Sequence, residues 1–204
     1  MKTVEIFGLI SGLLVVLSVV PYSIRTWQGK IQPNITTWTL WTFVGLAMLL
    51  TYKSSGAESN VWPAVFGFFN PLVITILAIR SKGKVEKPNK VEIKCILVVS
   101  LALVMWFFTK EDKSLVRYAL YAAIAADACA AIPTIFFLWI NPHEDRPFAW
   151  GLVAIGYGIG MFAIEDNTFA NYALPAYMFL GASGITSILS IYRIRKKISL
   201  KEWI

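Results

Sequence analysis

The sequence predicts an all-α membrane protein. Seven transmembrane helices are expected, as two parallel three-helix repeats joined by a linker helix, N-terminus outside and C-terminus inside. Three observations predict it. The 204 residues are 57% hydrophobic and only 15% charged, against about 25% charged in an ordinary soluble domain. The charges lie between long apolar runs rather than within them. A Pro/Trp frame also recurs: Val19-Val20-Pro21-Tyr22-Ser23-Ile24-Arg25-Thr26-Trp27 returns 112 positions later as Ala131-Ile132-Pro133-Thr134-Ile135-Phe136-Phe137-Leu138-Trp139. At the same offset Trp38 maps to Trp150 and Pro63 to Pro175. Four ungapped matches, in a chain with 9 Pro and 8 Trp, indicate an internal duplication.

Charges bound the spans. The first apolar run covers residues 6–24, between Glu5 and Arg25. A single Lys precedes it and no small-residue cleavage pattern follows, so it reads as a retained span. Further runs cover residues 31–52, 59–79, 95–109, 118–142, 147–164 and 167–192. A helix needs about 20 apolar residues to cross roughly 30 Å of hydrocarbon. Six runs fit that length. The fourth is short, and Lys94 and Lys110 can snorkel from its ends. Helices are expected because open strands leave backbone groups unsatisfied in lipid.

The duplication sorts these spans into a first triple-helix bundle (1–81), a basic linker with its helix (82–113), and a second bundle with a basic tail (114–204). Each copy has three helices, so one extra span between them makes the copies parallel. With the N-terminus outside, fourteen Lys and Arg fall on the inner side and five on the outer. That bias follows the positive-inside rule and accounts for most of the +7 net charge. A nucleic-acid partner is not expected, because no basic groove with interleaved aromatics is present.

A 3-1-3 arrangement with a proline near the inner end of each triple's first helix resembles the PQ-loop and SWEET-type transporters. The matching residues are Pro21-Tyr22 and Pro133-Thr134. In copy one a short polar turn leads into the Trp-bearing stretch Pro33-Asn34-Ile35-Thr36-Thr37-Trp38-Thr39-Leu40-Trp41. The resemblance covers nearly the whole chain. Tyr22 and Thr134 stand where the name motif has Gln; Pro-Thr is similar to the plant SWEET variant. The resemblance implies that Pro21 and Pro133 act as hinges between outward- and inward-open states. It also implies a solute site with a Trp from the second helix and an Asn from the third, here Asn70, whose counterpart at the offset is Ala182.

Asp127 is the sharpest single signal among 19 Lys and Arg and 12 Asp and Glu, because it alone lies mid-span. A carboxylate there costs several kcal/mol unless it is protonated, paired or facing water. It is the candidate for proton coupling or solute binding; the alternative is a protonated Asp in one interhelical hydrogen bond. In Asn70-Pro71, Pro71 frees a carbonyl one turn earlier, near Gly67, beside an amide that could bind a polar solute. Pro71 is thus a third candidate hinge. Trp38, Trp41 and Trp150 read as an aromatic belt at the inner surface, or as an inner gate or stacking platform. Trp27, Trp62 and Trp139 read as belt residues, and Glu165-Asp166 as a solvated turn. Tyr157 lies in Gly156-Tyr157-Gly158-Ile159-Gly160, a thin helix face, and is a candidate cavity residue. Ser183 and Ser187, four apart, could offer hydroxyls or simply pack.

The expected function is transport or facilitated passage of a small polar solute, sugar-like, amino-acid-like or nucleoside-like, across the plasma (cytoplasmic) membrane. Asp127 is the candidate proton link. The alternative is a receptor or solute-binding protein on the same scaffold, without flux. An enzyme is not expected, since no second mid-span carboxylate or Cys/His pairing is present. Metal-ligand spacing is absent around His143, and no cofactor is expected; a Schiff-base lysine within a span is also absent. Cys95 and Cys129 both read as buried packing residues. The partners are the lipid bilayer and the solute, and the sequence leaves a homo-oligomer open.

Overall fold

In the computed structural model, which describes residues 2–203, seven α-helices follow one another: α1 (Thr3–Trp27), α2 (Ile35–Ser54), α3 (Trp62–Arg80), α4 (Lys90–Thr109), α5 (Lys113–Ile140), α6 (Pro147–Gly160) and α7 (Phe169–Arg195). Short 3-10 turns cover Ser59–Val61, Met161–Ala163 and Leu200–Trp203. Among the described residues there is no strand, only an isolated bridge between Asn34 and Lys84. Six of the helices are long and apolar enough to cross a membrane, and Pro147–Ala163 is a shorter apolar helix. The architecture is that of a multi-pass helical membrane protein.

Side-chain caps start α2, α4, α5 and α7. Asn34 accepts from the amides of Thr36 and Thr37, and Asp112 from that of Ser114. Asn89 accepts from the Val91 and Glu92 amides, while the Glu92 carboxylate accepts from the Asn89 amide, a reciprocal cap. That cap lets α4 begin at Lys90, five residues before the expected apolar run. The fourth helix is therefore 20 residues long, and its shortness in the sequence came from counting charges as boundaries. At its far end Lys110 Nζ lies 5.7 Å from the Trp106 ring centroid. The α-helical part of α6 closes at Gly160 and tightens into a 3-10 turn, so the apolar run 147–164 is helical as far as Ala163.

Two helices, α1 and α4, are built inside out relative to a soluble bundle. On α1 the buried face is Gly8, Ser11, Gly12, Val15 and Ser18, while Leu9, Leu13, Leu17 and Ile24 are exposed. On α4 Cys95, Val99 and Ala102 are buried, while Leu97, Leu101, Phe107 and Phe108 face outward. Small residues inside and large apolar ones outside suit a lipid solvent, where close packing replaces the hydrophobic effect as the force between helices. Cys129 departs from expectation: it is exposed on α5, on the outward face, whereas Cys95 is buried.

Close approach uses glycine. A Cβ on Gly8 would sit 2.0 Å from the Ser59 carbonyl oxygen, and one on Gly156 would sit 2.8 Å from Val15 Cγ2. Phe7 meets Phe162, and Ser11 with Val15 meets Gly156. α6 therefore runs antiparallel to α1, and the start of α6 lies at the same end as the finish of α1. In the neighbour pattern, α3 touches both α1 and α2, and α7 touches both α5 and α6. α1 packs on α6, and α2 packs on α5. Exchanging α1, α2 and α3 for α5, α6 and α7 leaves these pairings unchanged. α4 lies against α5 and α2.

The glycine seams are testable. Gly8→Ala is expected to destabilise the fold by about 1–3 kcal/mol through overpacking, read as a lower Tm in detergent. Gly181→Ala, which meets nothing within 4 Å, is expected to leave Tm unchanged or raise it.

Candidate functional site

Hydroxyls in an apolar helix can bond back to the carbonyl one turn earlier, which removes them as free polar groups. Ser18 does so to Val15 at 2.6 Å, Thr51 to Ala47 at 2.6 Å, Thr75 to Pro71 at 2.8 Å and Thr186 to Ala182 at 2.7 Å. Ser187 bonds back to the Ser183 carbonyl at 2.8 Å, so the Ser183/Ser187 pair offers fewer hydroxyls than its spacing suggests. The groups left to make interhelical bonds are few, and they define the candidate site.

Asp127 is 8% exposed on the inward face of α5. Tyr177 Oη, on α7, donates to Asp127 Oδ2 at 2.6 Å. The carboxylate thus points into the α5–α7 seam and away from the lipid-facing side. Tyr177 was not singled out in the sequence. Its signal was a tyrosine midway along an apolar run, far from the surface where the hydroxyl would be wetted.

Asn70, on α3, turns to α1. Its Nδ2 donates to the Val15 carbonyl at 2.8 Å and reaches Ser18 Oγ at 3.3 Å. Its Oδ1 is buried and has no partner. Pro71 is buried within α3. The carbonyl it frees, that of Gly67, does not face an open space: a Cβ on Gly45 of α2 would sit 3.0 Å from it. The Pro71 carbonyl itself accepts from Thr75, and Thr75 Oγ1 lies 3.1 Å from Thr42 Oγ1. Tyr157 is buried and donates to the Pro63 carbonyl at 3.1 Å, tying α6 to α3. Asp127 and Asn70 are therefore bonded within different helix pairs, α5–α7 and α3–α1.

The tryptophans divide by role. Trp38 packs on Tyr22, ring centroids 5.2 Å apart. Trp150 Nε1 donates to Asp145 Oδ2 at 2.8 Å. Trp41 is half-buried on α2. Trp27 and Trp139 are largely exposed, as belt residues are. Pro21 and Pro133 lie within about two turns of the ends of α1 and α5; Pro21 is half-buried and Pro133 exposed.

Two further polar clusters emerge only from the structure. At the end of the molecule where α2 finishes, Asn60 Nδ2 donates to Tyr52 Oη, which donates to the Asn171 carbonyl at 2.8 Å. Asn171 Nδ2 in turn donates to the Asp166 carbonyl. Beside it Ser59 donates to Glu165 at 2.8 Å; the Glu165-Asp166 turn is exposed, as expected, and also makes this contact. With Tyr157–Pro63 and Phe7–Phe162, these bonds fasten α1–α3 to α5–α7 at one end. At the other end Arg193, counted from the sequence as a tail charge, is 4% exposed. It donates to the Pro142 carbonyl at 3.0 Å and the Asp145 carbonyl at 2.6 Å, clamping the α5–α6 turn.

Between α1–α3 and α5–α7 the centre is filled. Val15, Leu120, Tyr157 and Leu174 belong to one packed core. A cavity of about 500 Å³ lies instead between α2 and α4, and one of about 300 Å³ lies between α5 and α7. Neither is lined by Asp127, Asn70 or Tyr157.

Tyr177→Phe is expected to leave the Asp127 carboxyl without its donor and cost about 1–3 kcal/mol, seen as a lower Tm. Tyr172→Phe, whose hydroxyl bonds at the exposed surface, is expected to stay within about 0.5 kcal/mol of wild type. Comparison of the chain with protein-family models, curated proteins and solved structures gives no match.

Proposed function

We infer that the chain is a transporter or facilitator of a small polar solute, built from two parallel copies of a three-helix bundle that rock about a midplane site. The exchangeable neighbour pattern of α1–α3 and α5–α7 supports the duplication seen in the Pro/Trp frame. The reading follows the PQ-loop and SWEET-type resemblance, with the N-terminus outside and the lysine-rich end inside. No enzymatic step is part of it.

The observation that carries the reading is a pair of polar groups at matched depth. At the offset of 112, Asp127 corresponds to Val15. Val15 is the residue whose carbonyl holds the Asn70 amide. Asp127 and Asn70 therefore stand at equivalent heights in the two copies, one ionisable and one with a free carbonyl oxygen. A solute entering between the bundles would meet a donor–acceptor pair on each side. Asp127 gives up its Tyr177 bond to bind the solute or a proton. An intramembrane ionisable residue facing the bundle interior is a functional-site hypothesis on physical grounds alone.

The fastened end supplies the second half of the cycle. Tyr52, Asn60 and Asn171, with Ser59–Glu165, hold the bundles together on the outer side. This arrangement is the outward-closed state, with the polar pair packed shut beneath it. Opening requires these bonds to break: Ser59–Glu165 is exposed to competing water, while Tyr52, Asn60 and Asn171 are buried and part only as the helices move.

Two experiments in liposomes test the reading. Labelled sugars, amino acids and nucleosides are offered with and without an inward proton gradient. Wild type is expected to pass one class, and Asp127→Asn to lose the gradient dependence. Binding without flux would instead support a receptor. Second, Ser59→Cys with Glu165→Cys, in a chain freed of Cys95 and Cys129, is expected to stop flux on oxidation and regain it on reduction. Full flux in the cross-linked protein would contradict rocking.

A further inference from the structure

We propose that the groove between α2 and α4 binds one acyl chain of an anionic phospholipid, whose headgroup rests on the linker lysines. The groove holds about 500 Å³ and its walls are Leu40 and Phe43 from α2 with Ile96, Val99 and Leu103 from α4. Its volume falls within the roughly 300–1,000 Å³ of ordinary ligand pockets. Both helices start at the same end, because Thr37 Oγ1 donates to Glu92 Oε1 at 2.7 Å. The lined stretch of α2, residues 35 to 43, covers about 12 Å of helix axis. The groove therefore runs inward from the membrane surface, along the direction of an acyl chain. It lies between a bundle helix and the linker helix, not between the two bundles, so the solute path does not account for it.

The headgroup end carries the complementary charge. The linker crosses the start of α2 as a strap. The Ile35 amide donates to the Lys84 carbonyl at 2.8 Å, Thr36 Oγ1 to the Glu86 carbonyl at 2.6 Å, and Asn34 Nδ2 to the Glu86 carboxylate at 2.9 Å. This holds Lys84, Lys87 and Lys90 beside the mouth, with Lys94 one turn along α4; all four are exposed. Glu86 and Glu92, the acids of the segment, accept from Asn34 and from Thr37 and the Asn89 amide, and the four lysines outnumber them, so the segment stays net positive. Among the described residues none of these lysines forms an ion pair. Basic clusters next to a membrane helix attract anionic lipids, and here the cluster is joined to an apolar slot of its own.

The full-length protein, purified in detergent, is given equal amounts of phosphatidylglycerol and phosphatidylcholine, and retained lipid is counted by native mass spectrometry. Wild type is expected to keep one phosphatidylglycerol in preference to phosphatidylcholine. Lys87→Gln/Lys90→Gln/Lys94→Gln is expected to lose the preference. Ser100→Trp or Thr39→Trp, each filling the groove, is expected to lose the bound lipid altogether while thermal unfolding reports that the fold survives. Glycerol 3-phosphate alone is expected not to displace the lipid. Equal retention of both lipids by wild type overturns the proposal. So does undiminished retention in both folded Trp variants, or displacement by glycerol 3-phosphate.

Discussion

Everything in this molecule follows from the need to satisfy backbone and side-chain polar groups without water. In hydrocarbon an unpaired N–H or C=O costs several kcal/mol, so the chain is helical almost throughout. Apolar side chains gain packing but no hydrophobic effect by turning inward, and on α1 Leu13 and Leu17 face out while Gly8 and Gly12 face in. Contact between helices is then made by backbone against backbone, as where Gly8 meets the Ser59 carbonyl. Hydroxyls are absorbed by their own helices, Thr51 onto Ala47 and Thr75 onto Pro71. What remains unabsorbed is conspicuous, and Asp127, Asn70 and Tyr52 are its main members.

Most of the architecture was legible because it depends on length and charge. The apolar runs fall on the α-helices of the described residues. The errors came from local chemistry that hydropathy cannot see. The Asn89–Glu92 cap extended α4 through charged residues. Cys129 was expected inside because it falls within an apolar run; but such a run has a lipid-facing side too, and Cys129, two residues along α5 from the buried Asp127, is on the exposed one.

The candidate site was half legible. A lone carboxylate in an apolar run marked Asp127, since its cost must be met somewhere. Its partner Tyr177 is 50 residues away, and only the α5–α7 packing makes the pair. The same holds for Tyr52 and Asn171, 119 residues apart. Arg193 looked like one more surface charge until the α5–α6 turn folded its carbonyls around it. In each case the residue type was visible and the partner was not, because partners are set by helix rotation rather than by order along the chain. The carbonyl freed by Pro71 shows the converse: a promising polar group that α2 covers with Gly45.

The central claim is that two three-helix units stand side by side and point the same way through one membrane. Side-specific labelling of single-cysteine variants in sealed vesicles, with an impermeant thiol reagent, tests it directly. Cysteines placed at Gly29, after α1, and His143, after α5, are predicted to react from one and the same side. Cysteines at Glu58 and Asn167 are predicted to react only from the other. Gly29 and His143 reacting from opposite sides would contradict the parallel arrangement and the shared site that depends on it.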